Sequence, residues 1–291
     1  MTDLAPEYRQ RSPLYFAWRR FRSNKAAVLS GVILALLILM AIFAPLIGQT
    51  GYADQAFLSE ALAFPSWSHW MGVDDLGRDF FTRIVYGARV SLTIGFSAAA
   101  CSVLIGIPLG AVAGYYGGRA DWLVMRLIEL FSVVPPLLAA MLLGALTRGG
   151  FFTIVLIAAL FGWVQVCLLV RAQVKAFREK EFVRAAQALG ATPGYIIRRH
   201  LIPNSISPII VGFVLAIPLA MMLEASLSFL GIGVPPPTPS WGQMINTGMN
   251  FMYFYWFLAV YPTAALAITV LATTLFGDGL RDALDPTLKG R

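Results

Sequence analysis

Charge is what this chain of 291 residues has least of: 13% of its residues are charged, whereas 58% are hydrophobic. A soluble domain of this length carries roughly twice that charge. A water-soluble globular protein is therefore excluded and a polytopic membrane protein is indicated. Cysteine is scarce too. Cys101 and Cys167 are set far apart in apolar runs and read as small core residues, which excludes a disulfide framework or a thiolate metal site. Histidine is limited to His69 and His200, and no HExxH, CxxC or GxSxG motif occurs. None of Lys25, Lys175, Lys180 and Lys289 follows a glycine, so no Gly-Lys-Ser/Thr phosphate cradle can be built. The chain lacks the groups of an intramembrane enzyme and of a pump that hydrolyses ATP by itself; no catalytic, cofactor or metal site is expected in it.

The formal charge of +7 follows topology rather than any nucleic-acid-binding face. Residues 1–25 carry Arg9, Arg11, Arg19, Arg20, Arg22 and Lys25 against Asp3 and Glu7. Residues 26–47 are an apolar run of 22 residues, enough to cross a hydrocarbon core of ~30 Å. The run exceeds a signal-peptide core and no small-residue cleavage site follows, so it reads as a retained anchor with the basic tail on the cytoplasmic side. The acidic, aromatic segment 48–89 belongs outside. Five further spans, at 90–114, 122–146, 152–170, 205–230 and 254–276, fall within a core domain 90–277. Six spans return the tail 278–291 to the cytoplasm. They also place the loop 173–204 there, in agreement with Arg171, Lys175, Arg178, Lys180, Arg184, Arg198 and Arg199. The expected fold is all-α with six transmembrane helices in a prokaryotic inner membrane.

Several features concern packing. Ala98, Ser102, Gly106, Gly110 and Gly114 recur at every fourth position and predict a close helix contact. Pro108, Pro135, Pro136, Pro208 and Pro218 are expected to kink their spans. Pro235, Pro236, Pro237 and Pro239 form a stiff segment, either a docking ledge or a rigid connector. Residues 251–257, FMYFYWF, read as an interfacial aromatic belt.

Two acids lie at membrane depth. Glu129 follows Arg126 at i+3 and reads as a paired charge near the cytoplasmic end. Glu224 has no such neighbour, and an intramembrane acid faces a bundle interior or a water-filled cavity. With Met221 and Met222 it is a candidate pathway or gate group.

The polar loop 179–203 has a helical pattern of its own. Phe182, Ala185, Ala186 and Leu189 recur at helical spacing as a mostly small-residue face. Gly190 ends the helix, Pro193 and Gly194 reset the chain, and Pro203 closes the loop. Such a helix lies on lipid headgroups or enters a groove on another protein.

This loop resembles the coupling loop of ABC importer permeases, whose pattern is Glu-Ala-Ala, three residues, Gly, nine residues, Ile, one residue, Leu-Pro. Ala185, Ala186, Gly190 and Pro203 match; Arg184, His200 and Ile202 replace the Glu, Ile and Leu. HWMGVDDLGRDFFTRIVYGARVSL (69–92), EASLSFLGIGVPPPTPSWGQMI (224–245) and GDGLRDALDPTLKGR (277–291) are similar to segments of dipeptide, oligopeptide and nickel importer permeases. The resemblance implies a type I importer permease that forms half of a translocation pathway with a second homologous permease. It also implies two ATP-binding subunits that hold ATP and Mg, and an extracytoplasmic substrate-binding protein that delivers a peptide-class substrate. Phe182, Arg184, Ala185, Ala186, Leu189, Gly190, His200 and Pro203 would meet the ATPases. Asp74, Asp75, Arg78, Asp79, Pro236 and Trp241 are candidates for docking the binding protein, although acids at 74, 75 and 79 also suit a turn and helix cap. Asp278, Arg281, Asp282 and Asp285 suit a capped cytoplasmic helix or a solvated helix end. The alternatives are an ion-coupled transporter using Glu224 and a scaffold without transport.

Overall fold

The structure is a computed structural model that describes residues 13–147 and 149–284. Expectations that rest on Asp3, Glu7, Arg9, Arg11 and Asp285 lie outside the described residues. Helix α1 (Pro13–Ser23) leads through Asn24 into α2 (Lys25–Ile42), where the Asn24 side chain caps α2 by accepting from the Ala27 N–H at 3.1 Å. A single turn, α3 (Ala44–Ile47), opens an extended outer segment whose main regular piece is the 3₁₀ turn Leu58–Glu60. Helix α4 (Phe80–Tyr116) follows, then α5 (Gly118–Val133), α6 (Pro136–Thr147) and α7 (Phe151–Arg178). The next loop holds α8 (Glu181–Ala188), α9 (Pro193–Ile196), a π-helical turn (Ile197–Leu201) and α10 (Ile202–Asn204). Then come α11 (Ile206–Phe229), α12 (Trp241–Met249) and α13 (Phe257–Leu284). Among the described residues there is no strand beyond the isolated bridge Val73 to Asp79.

Helices α2, α4, α7, α11 and α13 are each long and apolar enough to cross a membrane, and α5 with α6 makes a sixth candidate span bent by 80°. The break falls at Val134 and Pro135, before Pro136 opens α6. Two consecutive residues without a backbone donor cannot continue the helical ladder, so the expected kink is a break. Pro108 and Pro218 lie inside α4 and α11. Pro208 does not: it occupies the first turn of α11, where a missing N–H costs no intrahelical bond. Helix α13 also runs beyond the expected end at Phe276. The last turns are held because Gly277 lies against Leu215 and Val214 of α11 and Gly279 against Ala27 of α2.

The centre of the molecule is the contact of α4 with α7. A methyl group on Gly110 would come within 2.5 Å of the Cys167 carbonyl oxygen, and one on Gly114 within 2.7 Å of the Arg171 carbonyl oxygen. The small-residue row of α4 is thus a seam along which the two backbones touch, where dispersion between close-packed atoms replaces the hydrophobic drive that lipid does not supply. Val166, Val170 and Val174 flank the seam, with Ala111 and Tyr115 beside them. Past Gly114, at the C-terminal end of α4, Arg171 donates a bidentate pair to Asp121 of α5, with Nη2 to Oδ2 at 2.6 Å.

Gly110→Val should lower thermal stability in detergent by about 1–3 kcal/mol, as expected for overpacking. Gly212→Ala, whose added carbon would meet only Leu169 Cδ1 at 3.6 Å, should cost nothing and stabilise α11 by up to about 1 kcal/mol. Equal melting temperatures for wild type and Gly110→Val would show that the seam is not close-packed.

Candidate functional site

Two polar regions stand out at opposite ends of α4. The inner one is the loop 179–203. Helix α8 begins after Lys180 and ends in a Schellman arrangement: the Gly190 N–H donates to the Gln187 carbonyl at 2.9 Å and the Ala191 N–H to the Ala186 carbonyl at 3.0 Å. Gly190 itself has φ of 80°, with open space around it, so glycine is required for conformation and not for packing. The helix divides its residues sharply. Val183 and Ala186 are buried against Val170, Val174, Ile196 and Leu201, while Phe182, Arg184, Ala185, Leu189 and Gly190 are exposed. Gln187 tethers α8 to α4 by donating to the Tyr115 hydroxyl at 3.4 Å.

The expected face of Phe182, Ala185, Ala186 and Leu189 is therefore corrected. Ala186 turns inward, because the loop docks on its own spans through a 100° step per residue that separates positions 185 and 186. The outward surface is Phe182, Ala185 and Leu189. His200 completes it from the π-helical turn, its ring 6.2 Å from Phe182 and 5.7 Å from Tyr195. Beside them an open concavity of about 560 Å³ is lined by Thr192, Gly194, Tyr195, Arg198 and Arg199. Pro203 is exposed at its rim of the loop. The π turn has no signature in the sequence, although such bulges are frequent at functional sites.

The outer region is a buried polar knot. Asp79 caps α4 by accepting from the Thr82 N–H at 2.7 Å. Asp74 accepts from the N–H groups of Leu76 and Arg78 at 3.0 and 2.9 Å and from Arg78 Nε at 2.7 Å, and lies 3.3 Å from Arg83 Nε. Arg83 then reaches across the fold, with Nη1 donating to the Tyr52 carbonyl at 3.0 Å and the Pro237 carbonyl at 3.3 Å. The neighbouring Asp75 is half-buried, and burial, reinforced by the Asp74 charge, pushes its carboxyl above the usual range. Space bounded by Asp74, Asp75, Arg78 and Arg83 amounts to about 10 Å³, too little for a solute.

One turn further in, Trp241 is wedged between α4 and α11. Its indole N–H donates to the Ile84 carbonyl at 3.1 Å and its backbone N–H to Ser91 Oγ at 3.2 Å. The Ser91 hydroxyl donates to Glu224 Oε2 at 3.4 Å and Ser228 Oγ to Glu224 Oε1 at 2.7 Å, with Ser240 Oγ donating on to Ser228 Oγ at 3.4 Å.

These geometries correct several expectations. Asp74, Arg78, Asp79 and Trp241 are buried inside the chain and are not a docking surface; Asp75 is half-buried and Pro236 is exposed. Glu224 and Met221, expected to face a pathway, are both fully buried, Glu224 among hydroxyls and Met221 against Gly95 and Ile217. Only Met222 of that group is exposed. The carboxylate is satisfied locally, which explains its burial without an open cavity. Arg83, Ser91, Ser228 and Ser240 carry this network. Arg83 and Ser91 were not legible as such, because Pro237, Glu224 and Trp241 lie 133 to 154 positions from them, and Ser228 and Ser240 join it only through the fold that brings Ser91 to Glu224.

With this geometry in view, the chain has the architecture of an importer permease. It is similar in structure to a chain of the methionine ABC transporter MetNI in inward-facing conformations, with a TM-score of 0.55 at 18% identity, covering 70% of this chain and 96% of that one. A family profile described as the binding-protein-dependent transport system inner membrane component matches residues 106–290, and one described as the N-terminal TM domain of oligopeptide transport permease C matches residues 12–65. The oligopeptide transport system permease protein OppC of Bacillus subtilis is 42% identical over 94% of this chain and 89% of its own length. The dipeptide transport system permease protein DppC of the same organism is 42% identical over 94% and 85%. The glutathione transport system permease protein GsiD of Pectobacterium atrosepticum is 39% identical over 96% and 93%. The chain belongs to the family of binding-protein-dependent transport system inner membrane components. It is a multi-pass, non-catalytic permease subunit of an ABC importer.

Arg83→Met should leave the Tyr52 and Pro237 carbonyls without their donor, while Arg78 still pairs Asp74, and lower stability by about 1–3 kcal/mol. Arg83→Lys should fail to restore it, because an ammonium lacks the fork that serves both sides. Retention of the wild-type melting temperature by Arg83→Met would remove the knot from the structural account.

Proposed function

We propose that this chain carries peptides across the inner membrane as half of a two-permease pathway, driven by two ATP-binding subunits attached at α8. The peptide class is supported by relatives named for oligopeptides, dipeptides and glutathione. ATP and Mg would reside on the partner subunits, and an extracytoplasmic binding protein would deliver the substrate to the outer face, where Pro236 is exposed. Both termini would lie in the cytoplasm, as the arginines at 19, 20 and 22 and the cluster at 198 and 199 favour.

The observation that carries the reading is the two-sided character of α8. Its inner side is locked to the ends of α4 and α7, and its outer side presents Phe182, Ala185 and Leu189, exposed among the described residues. Leu189 is 89% exposed and Phe182 40%, and with Ala185 they form an apolar patch suited to a partner's cleft. Alternating access follows when ATP-driven closure of the partners displaces α8 and the spans that hold it. An ion-coupled mechanism through Glu224 finds no support, since its carboxylate is enclosed and hydrogen-bonded to serines.

The test is co-purification of the ATPase subunits with single variants, together with ATP-driven uptake in proteoliposomes. Leu189→Asp would bury an unpaired charge in the partner's cleft and should weaken attachment by at least about tenfold while this chain keeps its stability. Ala186→Asp should instead destabilise the loop itself. If Leu189→Asp retains its ATPases and full uptake, α8 is not the coupling element.

A further inference from the structure

Helix α5 has two exposed stripes of different chemistry. Val124 and Ile128 are buried against Trp163, Val164 and Cys167. On the far side, Leu123, Leu127 and Leu130 recur at i, i+4 and i+7 and are all exposed, which suits lipid. Beside that stripe lies another at the same spacing: Trp122, Arg126, Glu129 and Val133, also exposed. Arg126 Nη1 donates to Glu129 Oε2 at 2.5 Å, and its guanidinium carbon sits 5.5 Å from the Trp122 ring centroid. The two charged side chains are 59% and 52% exposed.

The pair is deep along the fold, not at the helix end where the sequence pattern suggested. Helix α5 runs antiparallel to α7: Asp121 pairs with Arg171 near the inner end, and the Phe131 ring lies 5.6 Å from Trp163 and 6.1 Å from Phe161. Trp163 stands near the midpoint of α7 (Phe151–Arg178). Glu129, two residues from Phe131, is therefore level with the middle of a span. An exposed ion pair at that height facing hydrocarbon would lose the hydration of both charges, which their mutual attraction offsets only in part. With a purely apolar stripe next to it available for lipid, the charged stripe belongs to water.

We propose that Trp122, Arg126, Glu129 and Val133 line the translocation pathway and that Arg126 and Glu129 receive the two charged ends of a passing peptide. This rests on the peptide reading above. The Arg126 guanidinium donates to the substrate carboxylate, and the Glu129 carboxylate accepts hydrogen bonds from the substrate ammonium. A zwitterion can exchange with the internal pair one contact at a time, so no charge in the pathway is left without a counter-charge. Trp122 keeps a π face against the guanidinium while Glu129 is engaged elsewhere.

The experiment uses the whole reconstituted transporter with Cys101→Ser and Cys167→Ala. Single cysteines replace Arg126 or Val133 in one stripe and Leu123, Leu127 or Leu130 in the other, and a membrane-impermeant methanethiosulfonate reports on water. The first pair should label at least about tenfold faster than the leucine positions, and saturating unmodified dipeptide with ATP should slow that labelling. In the otherwise wild-type background, Arg126→Gln and Glu129→Gln should each cut dipeptide uptake by about tenfold, the size expected for one lost charge-assisted contact. Equal labelling of both stripes with normal dipeptide uptake overturns the proposal and leaves the peptide function intact. Fast labelling of the single cysteines in the charged stripe, together with a wild-type transporter that does not carry dipeptide, overturns the peptide reading, and the role given to Arg126 and Glu129 falls with it.

Discussion

The close approach of α4 and α7 sets the geometry on which every other contact depends. Three glycines on α4 bring it within van der Waals distance of α7 carbonyls, a separation that no side chain larger than hydrogen permits. Inside a bilayer this contact cannot be driven by release of water. It must come from many weak dispersion contacts between well-fitted surfaces, so the fit itself supplies the stability. Prolines inside α4 and α11 are tolerated because neighbouring helices hold the flanking turns in place.

The outer knot solves a different problem. A chain that enters a bundle from the outer side brings unpaired backbone groups with it, and these must find partners away from water. Arg83 takes carbonyls from two segments far apart in sequence, Tyr52 and Pro237, while Trp241 closes on the Ile84 carbonyl. The proline-rich stretch supplies acceptors without donors, which is what a guanidinium needs. Glu224 belongs to the same logic: hydroxyls from α4, α11 and the cap of α12 converge on it directly or in relay, and a carboxylate serves as their common acceptor. The knot is thus a structural device, and the strong sequence pattern around it reflects packing as much as function.

Much of this was legible from the sequence and some was not, for identifiable reasons. Apolar runs long enough to span, the small-residue row on α4 and the glycine that ends α8 are local signals governed by helical periodicity and by positive φ, and each appears in the structure. The third span was read as one helix kinked at Pro135 and Pro136; the kink is there, but two adjacent prolines interrupt the ladder outright and give an 80° bend, an extent that hydropathy does not register. Trp241 and Asp74 were read as surface residues because they sit in a polar outer segment, whereas long-range hydrogen bonds to Ser91 and Arg83 draw them inward. Ala186 differs from Ala185 only in which way the loop folds back on its own spans. That choice is made by Val183, Ile196 and Leu201 together, and no periodicity within an eight-residue helix records it.

Helix α4 connects the two polar regions directly. Its first turns hold Arg83 and the contact with Trp241, its last three turns carry the glycine seam with α7, and Tyr115 at its end receives Gln187 of α8. A displacement applied to α8 therefore enters a pair of helices that cannot slide past one another, because their backbones interlock at Gly106, Gly110 and Gly114. Close-packed interiors shift as bodies and do not deform continuously. On the proposed coupling role, α4 and α7 would move as one unit that carries the outer knot with them, and relative motion would concentrate where the chain is interrupted. The break between α5 and α6 is such a place. The charged stripe of α5 lies directly before it, so a change in the bend at Pro135 and Pro136 would alter what Arg126 and Glu129 face, linking movement at the inner loop to the exposure of charges at mid-span.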